Sequence, residues 1–246
     1  MKKSVLILVL LSVFGFSGSI EEGIKAYDNK NYTKAVKLFE ELVNQGNPIA
    51  QYNLAIMYAN GKGIKQDNQK AIELYTLSAN QGYSSAQGNL GFIYKIGKGV
   101  KQNYQKAIQL CTLAANQGNS NAQCTLGIMY EQGQGVKQNY QKAIELYTLS
   151  ANQGNSMAQY NLALIYKNGQ GVKQNYQKAI ELYTLSANQG YSNAQNNLGS
   201  MYYFGKGVKK DKIKAYQNWL KAAKSGHQDA QDNLDILCKN SPWACK

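Results

Sequence analysis

The feature that most constrains this chain of 246 residues is a period of 36. Glycine recurs at Gly46, Gly82, Gly118, Gly154, Gly190 and Gly226, alanine four residues later at Ala50, Ala86, Ala122, Ala158, Ala194 and Ala230, and leucine four beyond at Leu54, Leu90, Leu126, Leu162, Leu198 and Leu234. A fixed period of this length marks a repeat architecture, in which each unit buries its apolar side only against its neighbours. Within Asn47 to Gly82 the apolar and small residues form two helical groups, Ala50, Leu54, Met57 and Tyr58, then Ala71, Ile72, Tyr75 and Ala79. The expected fold is all-α, a right-handed α/α superhelical solenoid of helix-turn-helix repeats.

Between the two helices, A and B, lies Gly61-Lys62-Gly63-Ile64-Lys65-Gln66-Asp67, and the copies keep both glycines at 97 and 99, 133 and 135, 169 and 171, 205 and 207. The first glycine should end helix A in a left-handed conformation. Asp67, Asn103, Asn139, Asn175 and Asp211 then stand where helix B begins and can accept from its unpaired N–H groups. The small Ala50, Ala71, Ala79 and the Ala55 or Gly91 position let helix backbones approach closely.

Residues 1–19 read as an export signal: Lys2 and Lys3, an apolar run from Val5 to Phe14, then Ser17, Gly18 and Ser19. The run is too short for a permanent span, and no later stretch approaches the roughly 20 apolar residues a span needs. The mature chain is expected to start near Ile20, without a transmembrane segment, in the periplasm or outside the cell. Every basic residue is lysine; the formal charge of +13 becomes +11 once Lys2 and Lys3 leave with the signal.

The pattern A-x-x-x-L-G-x-x-Y-x-x-G-x-G-V-x-x-[DN]-x-x-K-A, carried by Ala86, Leu90, Gly91, Tyr94, Gly97, Gly99, Val100, Asn103, Lys106 and Ala107, resembles the Sel-one-like repeat, a relative of the tetratricopeptide repeat. The resemblance covers residues 47–226 as five units of 36. Residues 20–46 resemble a shorter tetratricopeptide hairpin without the glycine loop, and residues 227–246 read as a capping helix and tail. Asp229, Asp232 and Asp235 beside His227 fit the polar outer face such a cap needs.

Four cysteines in an exported chain invite disulfides. Cys111 stands where other units have Tyr75, Tyr147, Tyr183 and Trp219, and Cys124 where others have Tyr52, Gly88 and Tyr160. Helix B packs antiparallel on the next helix A, so paired replacement of two tyrosines suggests a Cys111–Cys124 bridge; two unlinked small hydrophobes are the alternative. Cys238 and Cys245 can tie the tail, with Pro242 and Trp243, back onto the cap helix. No C-x-x-C and no tetrahedral zinc spacing occurs.

No catalytic motif emerges: Ser-x-x-Lys, G-x-S-x-G and the phosphate-binding G-x-x-x-x-G-K-[ST] are absent. With His227 as the one histidine, no two-histidine metal site can be built. Zero arginine argues against nucleic acid, because bidentate recognition leans on the guanidinium fork. No catalytic residue, metal or cofactor is therefore expected. Glu73, Glu145 and Glu181 follow Lys70, Lys142 and Lys178 by three residues and suit solvated ion pairs. The family resemblance brings one alternative. Some secreted, cysteine-rich members bind or slowly hydrolyse β-lactams, with a cysteine pair seven residues apart in nearly every repeat. This chain has Ala115 and Gln123, Ala79 and Gln87, Ala151 and Gln159 in those places, so that likeness is partial and transfers no catalytic residue.

The functional clue is a column on helix A: Asn53, Asn89, Thr125, Asn161, Asn197 and Asn233. The tetratricopeptide resemblance implies that this position faces a concave groove, where an asparagine grips the main chain or terminal carboxylate of an extended peptide. An amide both donates and accepts, which suits peptide groups of any sequence. The flanking positions vary, Tyr52, Gly88, Cys124, Tyr160, Asn196 and Asp232, then Ala59, Lys95, Glu131, Lys167, Tyr203 and Lys239. Recent duplication, or amides that only bond between repeats, would leave the same column. The expected partner is a protein or peptide. A second candidate is an anionic cell-envelope surface, on the lysine columns Lys65, Lys101, Lys137, Lys173 and Lys209, and Lys70, Lys106, Lys142, Lys178 and Lys214.

Overall fold

A computed structural model describes residues 20–245, so the export signal expected over residues 1–19 lies outside the described residues. Helical residues 20–28 (α1) and α2 (Tyr32–Asn44) form the opening hairpin. Five hairpins follow: α3 (Pro48–Asn60) with α4 (Asn68–Asn80), α5 (Ser84–Ile96) with α6 (Tyr104–Asn116), α7 (Ser120–Gln132) with α8 (Tyr140–Asn152), α9 (Ser156–Asn168) with α10 (Tyr176–Asn188), and α11 (Ser192–Phe204) with α12 (Lys212–Lys224). Helix α13 (Gln228–Asn240) and a 3-10 turn, η1 (Pro242–Cys245), follow. The described residues contain helices and turns, as the period implies. Two compact units emerge, divided within α7 between Ala122 and Gln123.

The hairpin boundaries are set locally. Asp67 and Asn139 accept from the main-chain N–H of residues 70 and 142 at 3.0 and 2.9 Å, and Asn103, Asn175 and Asp211 do the same for α6, α10 and α12. Such caps satisfy donors that a helix start leaves unpaired. At the end of α3, Gly61 adopts φ +65 and its N–H reaches the carbonyl of Met57, the left-handed stop that glycine accepts at little cost.

In the first unit Phe39, Ala50, Leu54, Ala71, Tyr75, Ala86 and Leu90 are buried. In the second, Tyr147, Ala158, Leu162, Tyr183, Ala194 and Leu198 play the same part, with Trp219 and Leu234 toward the cap. The large residue of helix B packs on the small residue of helix A in its own hairpin. A Cβ on Gly127 would fall 2.7 Å from the Tyr147 ring, and one on Gly199 would fall 2.7 Å from the Trp219 ring. Glycine at these two positions makes room for the ring.

This direction corrects the expected Cys111–Cys124 bridge. Both cysteines remain buried thiols. Cys111 follows its column: its Sγ fills the space over Gly91, 2.6 Å from where a Cβ would stand, and is thereby directed at α5 of its own hairpin. Cys124 packs in the second unit with Tyr147 and Ala143. The Cys238–Cys245 bond does form, with 5.7 Å between Cα atoms, and fastens η1 to α13.

Candidate functional site

The asparagine column is half-buried in both units, and its amides are already engaged inside the protein. In the first unit Asn89 Nδ2 donates to the Tyr52 hydroxyl at 3.5 Å, and the same amide offsets part of the rise that burial imposes on the Tyr75 pKa. In the second, Asn197 Nδ2 donates to the Tyr183 hydroxyl at 3.3 Å, and the Asn197 and Asn161 amides offset part of the rise that burial imposes on the pKa of Tyr160 and Tyr147. Asn53 has no such partner because Phe39 occupies the Tyr75 position and lacks a hydroxyl; its Nδ2 turns to the Ile49 carbonyl at 2.9 Å. Asn233 faces Trp219 instead of a tyrosine and donates to Asn196 Oδ1 at 3.1 Å. An amide that donates to a tyrosine hydroxyl keeps its oxygen as an acceptor.

Tyrosine and asparagine recur here as a set. Tyr52 lies against Tyr75 and Tyr83, with ring centroids 5.8 and 5.2 Å apart, and Tyr160 lies against Tyr183 and Tyr191 at the same separations. The intervening hairpin replaces all four members at once, by Gly88, Cys111, Asn119 and Thr125. Burial raises the hydroxyl pKa of Tyr75 to about 12 and also raises that of Tyr183, so both stay protonated near neutrality.

In the first unit Asn89 and Tyr75 line a pocket of about 240 Å³ with Ala59, Phe92, Ile96 and Lys98. Phe92 and Ile96 are exposed, which gives the pocket an apolar floor beside the amide. Sequence reading passed over Ile96, although a signal existed: its column otherwise reads Asn60, Gln132, Asn168 and Asn240, and Phe204 is the other apolar exception. Two flanking residues take internal roles. Glu131 accepts from the Tyr147 hydroxyl at 2.6 Å, and Lys167 is partly desolvated near Lys206, both of which lower its pKa.

The lysine column at the start of helix B is also partly engaged. Lys70, Lys106, Lys178 and Lys214 lie 4.6–5.3 Å from the rings of Tyr58, Tyr94, Tyr166 and Tyr202, a cation–π distance. Of the three expected Lys–Glu pairs, Lys142–Glu145 forms at 2.8 Å between exposed side chains. The acidic cluster near His227 serves the helix: His227 Nδ1 accepts from Ala230 N at 3.4 Å, and Asp232 and Asp235 accept from Gln228 and Gln231. Where cysteine-rich members carry their pairs, Gln87, Gln159 and Gln195 donate to the carbonyls of Ala79, Ala151 and Ala187 at 3.1–3.2 Å. A buried amide thus joins helix B to the next helix A where those members have a cysteine pair. Among the described residues no helix is long and apolar enough to cross a membrane.

The fold has close counterparts. A Sel1 repeat protein from Oxalobacter formigenes superposes with a TM-score of 0.83 at 33% identity, over 90% of this chain and 91% of that one. The c5321 protective antigen of uropathogenic Escherichia coli, described as displaying an SLR fold, gives 0.59 at 29% identity, over 90% of this chain and 56% of that one. A stretch of 46 residues is 44% identical to the ERAD-associated E3 ubiquitin-protein ligase component HRD3B of Arabidopsis thaliana, of which it spans only 8%. The Sel1 repeat model matches residues 20–47, 48–83, 84–119, 120–155, 156–191 and 192–227, so the short opening hairpin is matched as well. With six matched repeats and the same helical-hairpin fold as these proteins, the chain belongs to the Sel1 repeat family.

Proposed function

We propose that this Sel1 repeat scaffold is an exported, non-enzymatic binder of an extended peptide or protein segment, held at the face that carries the asparagine column. The observation that carries the reading is the Asn89 site. Its amide is held by the Tyr52 hydroxyl, its oxygen can accept a peptide N–H, and a pocket of about 240 Å³ lined also by Tyr75 can take an apolar side chain beside it. Fixing the amide before binding reduces the ordering cost of association. Support for export comes from residues 1–19 and from the Cys238–Cys245 bond, since disulfides persist in oxidising compartments.

Two experiments test the proposal. Tagged protein with Asn89→Ala, Asn161→Ala and Asn197→Ala together should lose the partner that the parent captures from an envelope extract. Unchanged capture by a variant with a normal melting curve would remove the groove assignment. Residues 1–19 fused to a phosphatase that works only after export should give active enzyme; an inactive, cytoplasmic fusion would remove the export reading.

A further inference from the structure

The last repeat departs from the others where its loop meets helix B. Three consecutive copies read Lys101-Gln102-Asn103-Tyr104-Gln105-Lys106 and its equivalents at 137–142 and 173–178, whereas the last reads Lys209-Lys210-Asp211-Lys212-Ile213-Lys214. In the earlier repeats these residues serve the next loop. Gln141 Nε2 donates to the Gly171 carbonyl and Gln177 Nε2 to the Gly207 carbonyl, both at 2.7 Å. Thirty-six residues beyond Gly207 stands Trp243. It sits in η1, held by the Cys238–Cys245 bond, and Lys212 Nζ donates to the buried Ser241 hydroxyl at 2.7 Å.

The substitutions and the tail together line an open cleft of about 620 Å³, against about 210 Å³ at the matching place around Lys65, Asp67 and Lys70. Lys209, Lys210, Lys212 and Lys214 line it with one carboxylate, Asp211, which is occupied capping α12 and lies 3.9 Å from Lys214 Nζ. Trp243 is 59% exposed and Ile213 50%, so a flat aromatic face and an aliphatic side chain stand among the ammonium groups. The Lys212 ammonium lies 5.9 Å from the indole.

We propose that this pocket binds an acidic saccharide chain. The Trp243 indole carries the C–H face of one sugar ring, and Lys209, Lys210 and Lys212 take the anionic groups of that ring and its neighbours. The negative face of an aromatic ring attracts polarised C–H groups. Lysine ammoniums are rotatable point charges, suited to acid groups that leave a sugar ring at varied angles, whereas planar recognition of nucleic-acid edges leans on the guanidinium fork. The volume lies within the range of about 300–1,000 Å³ typical of small-ligand sites. This site narrows the anionic-surface expectation to one place and does not depend on peptide binding at Asn89 or Asn197, neither of which lines it.

The probes are a galacturonic acid tetrasaccharide, a heparin tetrasaccharide and an oligothymidylate of matched charge, titrated by calorimetry and by indole emission. Trp219 is buried, so an emission change on binding reports Trp243. The saccharides should bind more tightly than the oligothymidylate, and weaken as salt rises from about 50 to about 300 mM. Trp243→Ala should weaken calorimetric affinity about tenfold, as should Lys210→Gln, Lys212→Tyr and Ile213→Gln combined, which restore the residues of the three preceding repeats. Asn197→Ala should leave it unchanged, which separates this site from the groove. Absence of saccharide binding at millimolar concentration, oligothymidylate binding as tight as the saccharides, or full affinity in a Trp243→Ala variant that melts like the parent would each overturn the proposal.

Discussion

Gln189 Nε2 donates to Gln159 Oε1 at 2.8 Å, and Gln159 in turn donates to the Ala151 carbonyl of the preceding helix B at 3.2 Å. The same relay runs through Gln117, Gln87 and Ala79 in the first unit. It fails once. Gln195 donates to Ala187 at 3.1 Å, but its buried Oε1 has no partner, because the position of Gln189 one repeat later is Ser225. A buried acceptor without a donor carries a desolvation cost. Ser225→Gln should therefore raise stability by about 0.5–1.5 kcal/mol, read as a higher urea midpoint. Gln159→Ala should lower it by about 1–3 kcal/mol, since Gln189 and the Ala151 carbonyl both lose their partner.

The packing of rings on small residues gives a second prediction. Gly199→Ala brings a methyl group to 2.7 Å from the Trp219 ring, which has little room to yield at 2% exposure. The substitution should destabilise by about 1–3 kcal/mol, as overpacking does. Adding Trp219→Tyr should recover much of the loss, because Ala163 and Tyr183 coexist at the equivalent positions, both buried. Thermal melts of the two single variants and the double variant measure the coupling.

Burial pushes the Cys111 thiol up to about 12, and it raises the hydroxyl pKa of Tyr75, Tyr147 and Tyr183 as well. At pH 8 a thiol reagent should leave Cys111 unmodified in the folded protein. Without reductant, both Cys111 and Cys124 should react once urea unfolds the chain. Modification of neither would mean that they are bonded to each other.

The same groups set the alkaline limit. An acid whose pKa is higher in the folded state than in the unfolded state favours folding while it is neutral in both. As pH rises past the unfolded values, near 9 for cysteine and 10 for tyrosine, unfolding releases protons and stability falls. The urea midpoint should hold to about pH 9 and then decline through about pH 12, with a shallower decline in Tyr183→Phe.

Reduction should loosen the tail alone. The Cys238–Cys245 bond closes a short loop and opposes local fraying by about 2–3 kcal/mol in the chain-entropy picture. Mild reductant should expose residues after Asn240 to proteolysis and change Trp243 emission, while helical circular dichroism stays constant.

Where each helix starts and stops was legible because the determinants lie within a few residues. Asp67 or Asn139 caps helix B by reaching three residues along the chain, and Gly61 ends α3 through its own φ. The fate of the asparagine column was not legible in the same way. Whether an amide finds a tyrosine depends on the residue 14 positions earlier on another helix, which is why Asn197 meets Tyr183 and Asn53, above Phe39, does not. The direction of Cys111, toward Gly91, likewise follows from how helix B seats on helix A.

By itself the sequence determined a family of α-hairpins of fixed length, since a 36-residue period and its capping residues leave each unit only one way to bury its apolar side. Tertiary structure alone decided which polar groups are used up inside. It committed the glutamines to the relay and the Asn89 and Asn197 N–H groups to tyrosine, and it brought Trp243 among the lysines of the last loop. Side-chain hydrogen bonds form through space across helices, and repeat periodicity records a side chain's position along the helix but not the partner it meets.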